Sequence, residues 1–171
     1  MLDFLGRKKD ETFYQFYKII NHEIVGKFEN DLLATNDIEK SINYTTITQK
    51  QLQRWYMIQL GKYRKGNVNE SFVLFNDLLK DRYANMKSDG IPEKEIKKSL
   101  NISPEIYGFW IDDDKDFIKR IEDIKKDLII QAINDGKTKQ EIIEIAGVTP
   151  REYDDLFKVA DFKGDEIAQI R

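Results

Sequence analysis

The chain has 171 residues, 40% of them apolar and 35% charged, and a formal net charge of −3. That length suits one ordinary domain or a few very small ones, and the apolar fraction excludes a disordered chain. No run of about 18 apolar residues is present, so no membrane span is expected, and the absence of cysteine excludes disulfides, thiolate metal sites and a cysteine nucleophile.

Three Pro and nine Gly in 171 residues, with abundant Ile, Lys, Glu and Asp, favour helices. The opening MLDFLGRKKDETF has no apolar h-region, so no signal peptide is expected and a cytoplasmic location is read. Phe13, Phe16, Tyr17, Ile20, Ile24, Phe28 and Leu32 then recur at three- and four-residue steps, which predicts a first long helix. IEKSIN (38–43) and TQKQLQRWYMIQL (48–60) read as two short helices, and GKYRKGNVN (61–69) reads as a linker. Phe72, Phe75, Leu79, Tyr83 and Met86 predict a second long helix. Phe117, Ile121, Ile124, Leu128 and Ala132 predict a third. No segment alternates with period two, so no sheet is expected. The tail 162–171 is read as a short capping helix or a frayed end.

An internal repeat organises these elements. SDGIPEKEIKKSLNISPEIYGFWI (88–111) lies over NDGKTKQEIIEIAGVTPREYDDLF (134–157) at an offset of 46. Asp89-Gly90 matches Asp135-Gly136, Ile102-Ser103-Pro104 matches Val148-Thr149-Pro150, and Tyr107 matches Tyr153. IEKSIN (38–43) resembles IKKSLN (96–101), and ITQKQLQRWY resembles ISPEIYGFWI, with Tyr44-Thr45-Thr46 as three extra residues in the first turn. The reading is an all-α chain of about nine helices in three tandem tri-helical units: 1–66, 67–111 and 112–171. Each unit is a long helix, a short helix, a tight turn and a short helix. Asp-Gly marks helix stops. Ser103-Pro104 and Thr149-Pro150 mark N-caps with Pro at the first helical position. Thr48…Gln51, Thr138…Glu141 and Thr149…Glu152 have capping-box spacing.

With Ile142-Ile143, Gly147-Val148-Thr149 and Tyr153, the unit resembles the tri-helical helix-turn-helix DNA-binding domains of homeodomain-like or resolvase type. It departs from that pattern at Ile143, where the family usually has a small Ala. The resemblance implies that each unit's last helix is a candidate for the major groove. Only the first copy carries suitable chemistry. Helix 49–60 offers Gln49, Lys50, Gln53 and Arg54 behind the Thr48 cap, and Lys62, Tyr63, Arg64 and Lys65 follow. Arg pairs bidentately with guanine, Gln with adenine, and the trailing cations suit phosphates. Residues 36–66 hold six Lys/Arg against two Asp/Glu. The second copy has Phe109 where the first has Arg54, and the third has Asp155 beside Glu152 and Asp154. Residues 112–171 hold 16 acidic against 11 basic residues, which phosphates repel.

The expected DNA-binding set is therefore Thr48, Gln49, Lys50, Gln53, Arg54, Lys62, Arg64 and Lys65. The expected activity is sequence-specific binding of double-stranded DNA by a homodimer, as a transcriptional regulator of a bacterium or mobile element. The alternative is a protein-binding adaptor or inhibitor acting through the acidic units. No enzyme is expected: His22 is the single histidine, and no phosphate-binding glycine loop or other cofactor motif is present. Asp112, Asp114, Asp116 and Asp123 mimic calcium-loop spacing. Phe117 stands where that loop needs Gly, so the cluster reads as the start of the third long helix.

Overall fold

A computed structural model describes the backbone of residues 2–161 and the side chains of Lys18 and of residues 20–156. Among the described residues the chain forms nine helices and no strand. They are α1 (Leu2–Thr35), α2 (Ile38–Thr45), α3 (Gln49–Arg64), α4 (Glu70–Ser88), α5 (Glu93–Ser99), α6 (Pro104–Asp113), α7 (Lys115–Asn134), α8 (Lys139–Ala146) and α9 (Pro150–Asp161). No helix among them is long and apolar enough to cross a membrane. The expected tail element at 162–171, and the side chains of Phe13, Phe16 and Tyr17, lie outside the described residues.

The helix ends follow the local chemistry read from the sequence. Gly90 and Gly136 take φ of 80° and 73°. After each, a backbone N–H reaches back to the long helix, from Ile91 to Met86 O and from Lys137 to Ala132 O. That is the Schellman way of satisfying orphan carbonyls, and it favours Gly at the left-handed position. Thr48 and Thr138 form full capping boxes with Gln51 and Glu141. Thr149 and Glu152 exchange the same two bonds, at 2.7 and 3.1 Å. The Asp114 carboxylate accepts from Phe117 N–H at 3.0 Å and pairs with Lys80 at 2.8 Å. It starts α7 and is held below the ordinary carboxylate range, burial being outweighed by its bonds with Lys80 and the α7 backbone.

All three tight turns share one conformation. A left-handed residue comes first: Thr46 (φ 56°), Asn101 (φ 52°) and Gly147 (φ 64°). A buried aliphatic plug follows: Ile47, Ile102 and Val148. A Ser or Thr cap closes the turn: Thr48, Ser103 and Thr149, each accepting from the backbone N–H three residues on.

This register corrects two expectations. The first copy aligns with the second at a constant offset of 55, and Tyr44-Thr45-Thr46 is no turn insertion: α2 runs through Thr45. The buried positions of α2 are Ile38, Ser41 and Thr45. Ser41 and Thr45 occupy the slots that hold Ile96 in α5 and Leu100 just after it, and Ile142 and Ala146 in α8. Polar side chains fit there because each hydroxyl donates to the carbonyl four residues back, Ser41 to Asp37 O at 2.7 Å and Thr45 to Ser41 O at 2.6 Å. A buried hydroxyl so satisfied carries little penalty. The linker is also shorter than 61–69. Gly61 is helical, and α3 ends only at Arg64, where Gly66 N–H meets Tyr63 O and Asn67 N–H meets Lys62 O.

The chain divides into two units, Met1–Leu78 and Leu79–Arg171, with the boundary inside α4. The core of the first is aromatic. Trp55 stands edge-on to Phe28 and Phe75, both at 5.3 Å between ring centres, and to Phe72 at 6.2 Å. Such geometry adds to area burial. Tyr56 hydroxyl donates to Asn76 Oδ1 at 2.7 Å within this core.

The second unit packs Tyr83, Trp110 and Phe117 around one another at 5.4–6.3 Å. Its aliphatic core includes Leu128, Ile129, Ile142, Ala146 and Val148. It also contains two buried polar groups with no counterpart in the first. The Tyr83 hydroxyl is buried, and burial, with Tyr107 and Glu93 beside it, pushes its pKa far up. Lys87 is 2% exposed and occupies, at the offset of 55, the slot of Leu32.

Candidate nucleic-acid interface

The candidate site is built on α2, its turn and α3. Asp37 caps α2 by accepting from Lys40 N–H at 3.0 Å. The left-handed Thr46 turns the chain, and Ile47 anchors it in the core at 4% exposure. α3 then buries one face, Leu52, Trp55, Tyr56, Gln59 and Leu60, which fixes what the opposite face presents.

The structure leaves all eight residues of the expected set exposed: Thr48, Gln49, Lys50, Gln53, Arg54, Lys62, Arg64 and Lys65. Gln49, Lys50, Gln53 and Arg54 are spaced by three and four residues and share one face of the first half of α3. Lys62 and Arg64 lie in the last turn of α3, where cations also complement the helix dipole. Among the described residues none of Lys50, Arg54, Lys62, Arg64 and Lys65 forms an ion pair.

Two features escaped the sequence reading. A groove of about 780 Å³ runs between α1 and α3, and Arg54 and Lys62 line it. Its one sequence signal is Gly26, a helix-breaking residue in mid-α1. Tyr44 is an 83% exposed aromatic at the end of α2.

The equivalent helices of the other copies differ in chemistry. In α6, Phe109 is buried and serves the core. In α9, Glu152, Asp154 and Asp155 are exposed, and Asp154 pairs with Lys139 at 2.8 Å. The Glu152 carboxyl is held below its ordinary range, mainly by the Thr149 backbone N–H, so α9 keeps an anionic face.

No protein-family model, no curated protein and no solved structure matches the chain.

Proposed function

We propose that this chain is a sequence-specific double-stranded DNA-binding protein, a transcriptional regulator that reads the major groove with α3. One observation carries this reading: a capped helix behind a three-residue turn presents Gln49, Lys50, Gln53 and Arg54 to solvent on one face, with Lys62, Arg64 and Lys65 beyond. Gln and Arg match adenine and guanine edges, and the free cations match phosphates. A single helix-turn-helix covers few base pairs, so useful affinity calls for a homodimer on paired half-sites. The acidic α9 supports a second reading, an adaptor that engages a basic protein surface.

Retardation of random duplex separates the two. At about 20 mM salt the DNA reading predicts a shifted band, because non-specific binding is electrostatic. No retardation at that salt supports the adaptor instead. After selection of a preferred duplex, Arg54→Ala is expected to remove about 1–3 kcal/mol of discrimination at one position, measured by competition between duplexes. Lys62→Ala is expected to weaken all duplexes alike and to lower the salt slope by about 1. Unchanged discrimination in Arg54→Ala removes Arg54 from base readout.

A further inference from the structure

The groove between α1 and α3 has the make-up of a ligand site. Val25 and Ile58 supply its apolar surface, with the buried Trp55 behind them, and Ile58 is 49% exposed. Such a volume is of the size that small-molecule sites have, roughly 300–1,000 Å³. Gly26 lies in the wall formed by α1. A Cβ built on it meets nothing within 4 Å, so no packing among the described residues requires glycine there. A glycine inside a helix destabilises it relative to alanine, and what it provides here is open space in the groove.

Three cations, Lys18, Arg54 and Lys62, line the groove against two carboxylates, Glu23 and Glu29. Glu29 Oε1 already accepts from Trp55 Nε1–H at 2.6 Å and from Asn69 Nδ2–H at 3.0 Å. On α3, Arg54 and Lys62 flank Ile58, each four residues from it. Along the helix axis they stand about 12 Å apart, and among the described residues neither has an ion-pair partner. A cation, an aliphatic side chain and a second cation in line complement a molecule with an anionic group at each end and an apolar body between.

We propose that this groove binds an elongated organic dianion of the long-chain dicarboxylate type, and that its occupancy withdraws Arg54 and Lys62 from DNA. The second half rests on the DNA-binding reading above; the first half does not.

The test is isothermal titration of the purified full chain, without DNA, with dodecanedioate, dodecanoate and dodecylamine. Dodecanedioate should bind tightest and dodecylamine weakest. Arg54→Gln and Lys62→Gln should each weaken dodecanedioate about five-fold. Gly26→Leu should weaken it by more than about ten-fold, because the new side chain fills the space. It should leave the melting temperature equal or higher, because leucine favours the helix, so lost binding cannot be ascribed to unfolding. Equal binding of all three probes, or binding indifferent to Gly26→Leu, overturns the site. So does the absence of any binding of dodecanedioate. With a duplex present, dodecanedioate should displace it from wild type and not from Gly26→Leu. Titration without displacement overturns the regulatory half alone, and a failure to bind any duplex leaves the ligand result standing.

Discussion

Trp55→Ala is expected to cost the first unit about 3–5 kcal/mol, the range for truncating a large buried aromatic. Trp55 is 3% exposed and touches rings from three other positions, Phe28, Phe72 and Phe75. Its truncation leaves a cavity that α1, α3 and α4 line together and that no single side chain can close. It also removes the indole donor from Glu29, leaving Asn69 as the remaining donor to that carboxylate oxygen. Domains are stable by about 5–15 kcal/mol in all, so the loss is a large fraction of what holds α3 in place. Urea denaturation followed by far-ultraviolet circular dichroism measures it. Trp55→Phe keeps most of the ring packing and should lose less. A loss below about 1 kcal/mol for Trp55→Ala would mean that the aromatic cluster does not organise this unit.

Gly147→Val should destabilise the second unit by about 2–3 kcal/mol. Two separate causes add. The backbone at 147 has φ of 64°, a conformation that β-branched residues avoid. A Cβ there would also lie 2.9 Å from Lys87 Nζ. The other two copies place Thr46 and Asn101 at the same left-handed position, so the backbone alone does not demand glycine. At position 147 the Lys87 ammonium, the far end of a long side chain, must also shift to admit a Cβ. Gly147→Asn should therefore cost less in a Lys87→Ala background than in wild type, and a thermodynamic cycle over the four proteins isolates the clash. Equal costs in both backgrounds would remove Lys87 from the explanation.

Lys87 also sets a pH dependence. Burial lowers its pKa from the ordinary lysine value. Lys97 and Lys125 push the same way, and Glu93 and Glu152 oppose them. The folded state then holds this proton less tightly than the unfolded chain does. Its contribution disfavours folding at neutral pH and is relieved as pH rises from the folded pKa toward the unfolded one. Lys87→Met should raise the melting temperature at pH 7 and flatten the alkaline rise in stability, as thermal scans between pH 7 and pH 10 would show.

The helix ends were readable because their chemistry is local. Asp-Gly stops and Thr-Pro starts work within four residues and need no tertiary partner. The register of the first copy was not readable, because Ser41 and Thr45 fill slots that hold aliphatic side chains in the third copy. A hydrophobic pattern cannot register a hydroxyl that is buried and satisfied by its own helix. Lys87 escaped for the related reason that a lysine is assigned to solvent unless its surroundings are known. The α3 face was legible because the buried stripe of a helix fixes the exposed one. The groove beside it was not, since it exists only once α1 and α3 pack.

Amide chemical-shift mapping shows whether the outward face of α3 meets duplex DNA, as proposed. Adding a selected duplex at low salt should move the signals of Thr48 to Arg54 and of Lys62 to Lys65, and raising the salt should reverse the shifts. Shifts confined to α9 around Glu152, Asp154 and Asp155, or no shifts at all, would contradict it.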